Sequence, residues 1–155
     1  MFRPPIARTP AGDFRLAIGR HERAVLRTLP ATLERLLADQ PDDPDLRRLF
    51  PSAYADDAEA EAEYRRLMAE ELLEGRRAAL RTFAATIDAD VLSAEELESW
   101  LRALNDLRLF LGTRLDVREE DLAGPFDPRD PQAEERALYA YLSWLQEHAV
   151  EALST

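Results

Sequence analysis

The chain contains no cysteine, no lysine and a single asparagine, Asn105, among its 155 residues. Without thiols it has no disulfides, thiolate metal sites, thiol nucleophile or thiol redox sensor of its own. Two histidines, His21 and His148, leave little material for imidazole catalysis or transition-metal binding. No apolar run approaches the ~20 residues of a membrane-spanning helix. The opening segment MFRPPIARTP has prolines and charges but no apolar core of a signal peptide, so a cytoplasmic location is the expectation. The G-x-S-x-G elbow, the Walker loop and the dinucleotide fingerprint are also missing. No catalytic, cofactor-binding or metal site is therefore expected, and the chain reads as a non-enzyme.

Apolar residues make up 46% of the sequence and charged residues 33%, the balance of a globular protein rather than a disordered one. The length fits one domain, residues 1–155, large enough to bury a core. All 20 basic residues are arginine, and the net charge is −11. Residues 1–50 carry a net of about +2, whereas the remainder carries about −13. So acidic a chain is repelled by nucleic-acid phosphate unless one patch is locally basic. Arg3, Arg8, Arg15, Arg20, Arg23 and Arg27 form the one candidate patch.

Residues 1–18 differ from the rest. Pro4-Pro5-Ile6-Ala7-Arg8 as an edge strand, then turn-forming Thr9-Pro10-Ala11-Gly12-Asp13, then alternating Phe14-Arg15-Leu16-Ala17-Ile18 predict a short β-hairpin or an extended arm. From residue 20 the pattern is helical to about 153. Val25, Leu29, Leu33, Leu36 and Leu37 share a face, with a kink or break expected at Pro30. Pro41 and Pro44 punctuate the chain before one short helix ending at Phe50. The longest predicted helix covers roughly 57–87, ~46 Å, with Tyr64, Met68, Leu72, Ala79, Phe83 and Ile87 on its buried face. Gly75 marks a bend or a close crossing. Ser93-Ala94-Glu95-Glu96 is a capping box that opens the next helix. An acidic loop at 119–130 leads to Asp130-Pro131, where a last helix begins with proline at its first position. Leu138, Tyr141, Leu142, Leu145, Ala149 and Leu153 form its apolar stripe. The expected architecture is mainly α, a single-domain bundle of about five helices with a short N-terminal β-hairpin.

The segment WLRALNDLRLFLGTRL, 100–115, is the expected centre of the fold. Trp100, Leu104, Leu107, Leu111 and Leu115 make one stripe, and Leu109 projects elsewhere, so neighbours are expected on more than one side. Arg108 and Arg114 project beside apolar residues and must be paired or hydrogen-bonded. Arg102 and Asp106, spaced i and i+4, can pair on the exposed side. Asn105 and Arg108 lie nearer the buried side. This group is either a polar network that fixes packing or an interaction site in which Arg108 or Arg114 meets a partner's acid.

Other polar features have ordinary explanations. Glu59, Glu61 and Glu63 do not converge on a helix, where residues two apart point apart, and they complement the helix N-terminus. Glu-x-x-His pairs of a di-iron bundle are absent. His148 falls near Tyr141 and Trp144 on the apolar arc and reads as a packing residue. Gly112-Thr113-Arg114 near a helix C-terminus is a close-packing site or cap rather than a phosphate cradle.

The strings LRRLFPSAYADDAEAEAEYRRL (46–67) and WLRALNDLRLFLGTRLDVREED (100–121) resemble an actinomycete family of oxidative stress regulators. This is the AosR-type family, first described as domain-of-unknown-function family 2017. ALYAYLSWLQEHAVEAL (137–153) is similar to the same family, as is the strand pair before the first helix. The resemblance implies a small cytoplasmic helical protein that regulates transcription through a sigma factor or RNA polymerase, by protein–protein contact. A role as an adaptor to Clp proteolysis is one alternative, and weak direct DNA binding through the N-terminal arginines is another. Regulation through a cysteine pair cannot operate in a chain without cysteine. The contact residues expected are Phe50, Pro51 and Tyr54 in one loop and Asn105, Asp106, Arg108 and Arg114 on the central helix. A homodimer stays open, since an apolar stripe buries equally well within a monomer or between two.

Overall fold

A computed structural model describes residues 3–40, 43–46, 48–49, 58–115 and 129–155. Strand β1 (Ile6–Arg8) pairs antiparallel with β2 (Phe14–Leu16), Ile6 opposite Leu16 and Arg8 opposite Phe14. Gly12 sits in the connecting turn at φ +94°, a conformation that favours glycine. The Thr9 N–H donates to the Asp13 carbonyl at 2.8 Å, and the Gly12 N–H to the Thr9 carbonyl at 3.0 Å. The hairpin expectation holds, with one addition. Strand β3 (Val91–Leu92) joins the other edge of β2, giving the order β1-β2-β3. Two residues are too few to show an alternating pattern, so β3 has no sequence signal.

Helices α1 (Arg20–Arg27) and α2 (Leu29–Asp39) are separated at Thr28. Pro30 falls in the first turn of α2, where its missing N–H costs nothing, so the chain starts a new helix instead of kinking an old one. Arg23 then ties α1 to the segments that follow β2 and precede β3. Its guanidinium donates to the carbonyls of Ile18 (2.9 Å), Ile87 (2.8 Å) and Ala89 (2.8 Å).

After a single 3-10 turn, Pro44–Leu46, come α3 (Ala58–Ala85), α4 (Ala94–Leu115) and α5 (Ala133–Ser154). Helix α3 is close to its expected extent. A Cβ added at Gly75 meets nothing within 4 Å among the described residues, so none of them makes a close crossing there. The capping box forms as expected: the Ser93 N–H donates to Glu96 Oε1 at 2.8 Å and the Glu96 N–H to Ser93 Oγ at 3.1 Å. Pro131 lies in a turn before α5 rather than in its first helical position. There the Gln132 N–H donates to Asp130 Oδ1 at 2.9 Å and the Ala133 N–H to the Asp130 carbonyl at 3.0 Å.

One core gathers Ile6, Phe14, Leu26, Leu33, Phe83, Trp100, Leu104 and Leu145, among others, from the sheet and every helix. Helix α4 is its axis, packing against α3, α5, α2, β3 and the 3-10 turn. Trp100 is fully buried, its ring 4.6 Å from that of Phe83. Its indole N–H donates to Thr86 Oγ1 at 2.7 Å, which removes the penalty of a buried unpaired donor. Thr86→Val keeps the shape and removes that acceptor. We expect a loss of about 1–3 kcal/mol in urea unfolding, and an unchanged midpoint would show that the hydrogen bond contributes nothing.

Candidate functional site

The polar residues of α4 divide between its two long neighbours. Asp106, only 3% exposed, forms an ion pair with Arg76 of α3. A second nitrogen of the same guanidinium donates to the Leu49 carbonyl at 2.6 Å. One arginine therefore ties α3, α4 and the segment after the 3-10 turn together. Asp106 was expected to pair with Arg102 on an exposed face, and that expectation is wrong. Ala103, Asp106, Phe110 and Thr113, spaced 3, 4 and 3, are all buried. They form a second inward face beside the expected stripe.

Burial pushes the Asp106 carboxyl above the ordinary carboxylate range, with the Arg76 charge and hydrogen bond pulling it back only in part. Its folded-state value thus lies above its unfolded one. The stability Asp106 contributes is fullest below the unfolded value and is lost as pH rises through the folded value. The ion pair serves less as a source of stability than as a device that fixes one arrangement of three elements.

Toward α5, Asn105 Oδ1 accepts from Gln146 Nε2 at 3.3 Å and from Arg108 Nη2 at 3.1 Å. Arg108 Nε is buried without a hydrogen-bond partner among the described residues. Nearby, a Cβ built on buried Gly112 would lie 2.8 Å from the Tyr139 ring and 3.0 Å from Arg48 Nη1. Glycine is required here by close packing of α5 on α4, as the sequence suggested. Exposed Arg114 stands 5.4 Å over the Phe110 ring and 3.6 Å from Asp45 Oδ2. Phe50, Pro51 and Tyr54 lie outside the described residues. Leu49, whose carbonyl Arg76 holds, immediately precedes them in the chain.

Among the described residues, three of the six N-terminal arginines have intramolecular partners that bear on the basic-patch reading. Arg23 holds three carbonyls, Arg27 pairs with Asp88, and Arg8 lies 5.0 Å from the Phe14 ring. Sequence reasoning missed Arg76, which lies 30 positions from Asp106 and carries no local signal.

Tyr141, Trp144 and His148 stack along α5, at 5.7 Å and 4.8 Å between successive ring centres. Their adjacency follows from helical spacing, but Trp144 is exposed rather than part of a buried arc. Burial, reinforced by Glu22, pushes the Tyr141 phenol up to about 12. No group of three or more metal-ligating side chains occurs among the described residues. None of the described helices is long and apolar enough to cross a membrane.

Removing one partner of the buried pair leaves the other uncompensated, so Asp106→Ala should cost about 3–5 kcal/mol. Joint replacement, Arg76→Met with Asp106→Leu, should recover most of that loss, measured as a double-mutant cycle by chemical denaturation. A single-variant cost within about 0.5 kcal/mol of zero would contradict the pairing.

The chain is similar along most of its length to two curated proteins named "Oxidative stress regulator AosR", from Mycobacterium bovis and Mycobacterium tuberculosis. Each is 28% identical over 184 aligned positions, covering 90% of this chain and 82% of the relative. No solved structure matches it. A family model described as "Domain of unknown function (DUF2017)" matches residues 2–153, and the chain belongs to that family.

Proposed function

We propose that this chain is a regulatory protein that acts by contact with another protein and not by catalysis. The observation that carries this reading is its similarity, across 90% of its length, to proteins named oxidative stress regulators. The chemistry of the chain agrees with it. With no cysteine, any thiol response to an oxidant belongs to a partner. The partner class implied by the family resemblance is a sigma factor or RNA polymerase, in the cytoplasm.

In this reading residues 1–155 act as one folding unit. Asn105, Asp106 and Arg108 are committed to packing, since their hydrogen bonds and ion pairs join α4 to itself, α3 and α5. Exposed Arg114, and Phe50, Pro51 and Tyr54, which lie outside the described residues, are then the contact candidates.

Affinity capture of the tagged chain from its host's lysate, with and without peroxide, tests the proposal. Recovery of a sigma factor or RNA polymerase, in amounts that change with peroxide, is the expected result. Recovery of Clp components in their place would make the chain a proteolytic adaptor, and no specific protein recovered would overturn contact as the mode of action.

A further inference from the structure

We infer that the outer face of α5 is a docking surface for a basic amphipathic segment of a partner protein, an inference that rests on the contact reading above. Ala137, Ala140, Trp144, Glu147 and Glu151 are all exposed. Their spacing of 3, 4, 3 and 4 places them in one straight row along the helix. The first half of the row is small and apolar, Trp144 stands in the middle, and the second half is acidic. Such a row offers a partner helix a shallow seat, an aromatic anchor and two carboxylates.

Trp144 is the central observation. It is 38% exposed, whereas Trp100, the chain's other tryptophan, is fully buried. The exposed part of so large an apolar ring forfeits the gain of burying it. The ring is also held in place, with Tyr141 at 5.7 Å and His148 edge-on at 4.8 Å. An anchor fixed in advance loses little side-chain entropy when a partner covers it.

Charge selects the partner. Both ionised residues of the row are glutamates, and the row runs toward the negative end of the helix dipole. The whole chain carries −11. Beside the acidic half, a groove of about 440 Å³ opens between α5 and β1, lined by His148 and Glu151 on the helix side. Exposed Arg8, on the strand side, lies against the Phe14 ring and donates to the Leu153 carbonyl at 3.5 Å, so the cation of the groove stands on the strand side and the carboxylates of the row on the helix side. A second copy of this chain fits the row poorly. Two such rows brought together would gather four carboxylates with no cation from either row to meet them. Nucleic acid is disfavoured by the same carboxylates.

Two dye-labelled synthetic peptides test this against the full chain by fluorescence anisotropy: an amphipathic Leu/Arg helix, and the same helix with every Arg replaced by Glu. The Arg peptide should bind, more weakly as salt rises, and the Glu peptide should not. Trp144→Ala should weaken binding about thirtyfold, and Glu147→Gln with Glu151→Gln about tenfold. Circular dichroism should be unchanged in both variants; the melting temperature should be unchanged for the surface glutamates and slightly lower for Trp144→Ala, which removes the ring contacts with Tyr141 and His148. Equal binding of both peptides, or unaltered affinity in the variants, overturns the proposal. Sedimentation showing a dimer that Trp144→Ala dissolves would also overturn it, since the occupant would then be a second copy. In lysate capture, a partner retained equally by the triple variant overturns this surface and leaves the contact reading standing. A wild-type chain that retains no partner overturns both.

Discussion

The pairing of Arg76 with Asp106 is the constraint around which the rest of the fold is arranged. A carboxylate that is 3% exposed is tolerable only if its charge is met, and Arg76 is the side chain that meets it. That requirement sets the relation of α3 to α4. Because the same guanidinium also holds the Leu49 carbonyl, it positions the segment that follows the 3-10 turn. A purely apolar seam between α3 and α4 would have many acceptable registers; one polar pair inside it has far fewer. The upward displacement of the Asp106 carboxyl by burial agrees with a pair that specifies structure at some expense of stability.

Around that pin, α4 makes a different kind of contact on each side. Trp100 and Asp106 engage α3 and the turn that follows it, Trp100 through the Phe83 ring and the Thr86 hydroxyl and Asp106 through Arg76. Gly112 and Asn105 engage α5, the first by allowing the Tyr139 ring to approach and the second through Gln146. Arg23 of α1 joins the segment after β2 to the turn between α3 and β3. Among the described residues, the outward face of α5 keeps its tryptophan 38% exposed, the face proposed above for a partner. In a chain whose relatives are named regulators, the inner polar residues then shape the scaffold and the outer aromatic and acidic ones are the surface it offers.

Much of this was legible in local sequence. The Ser93–Glu96 cap, the Trp100 to Leu115 stripe, the turn at Gly12 and the interruption near Pro30 depend on residues a few positions apart, and each formed. What was not legible depends on distant partners. The i, i+4 spacing of Arg102 and Asp106 points to an exposed pair, and nothing local shows that Asp106 faces inward instead. The second face, with Ala103, Phe110 and Thr113 around Asp106, is interrupted by the very charge that needed explaining. Its partner, Arg76, looks like any helical arginine until α3 and α4 are side by side. Strand β3 exists because β2 offers it an edge, and two residues carry no periodicity. Tyr141, Trp144 and His148 are adjacent by spacing, but only the packing of α5 shows which side of it stays in water.

Native-state hydrogen exchange on Asp106→Asn, compared with the unaltered chain, tests the central claim most directly. If the Arg76–Asp106 pair positions the segment before residue 50, amides at 43–49 and in the facing turns of α3 and α4 should lose protection first. The β1–β2 hairpin and the Trp100–Phe83 region should keep theirs. Uniform loss of protection, or none at 43–49, would contradict the account and reduce the pair to one contact among many.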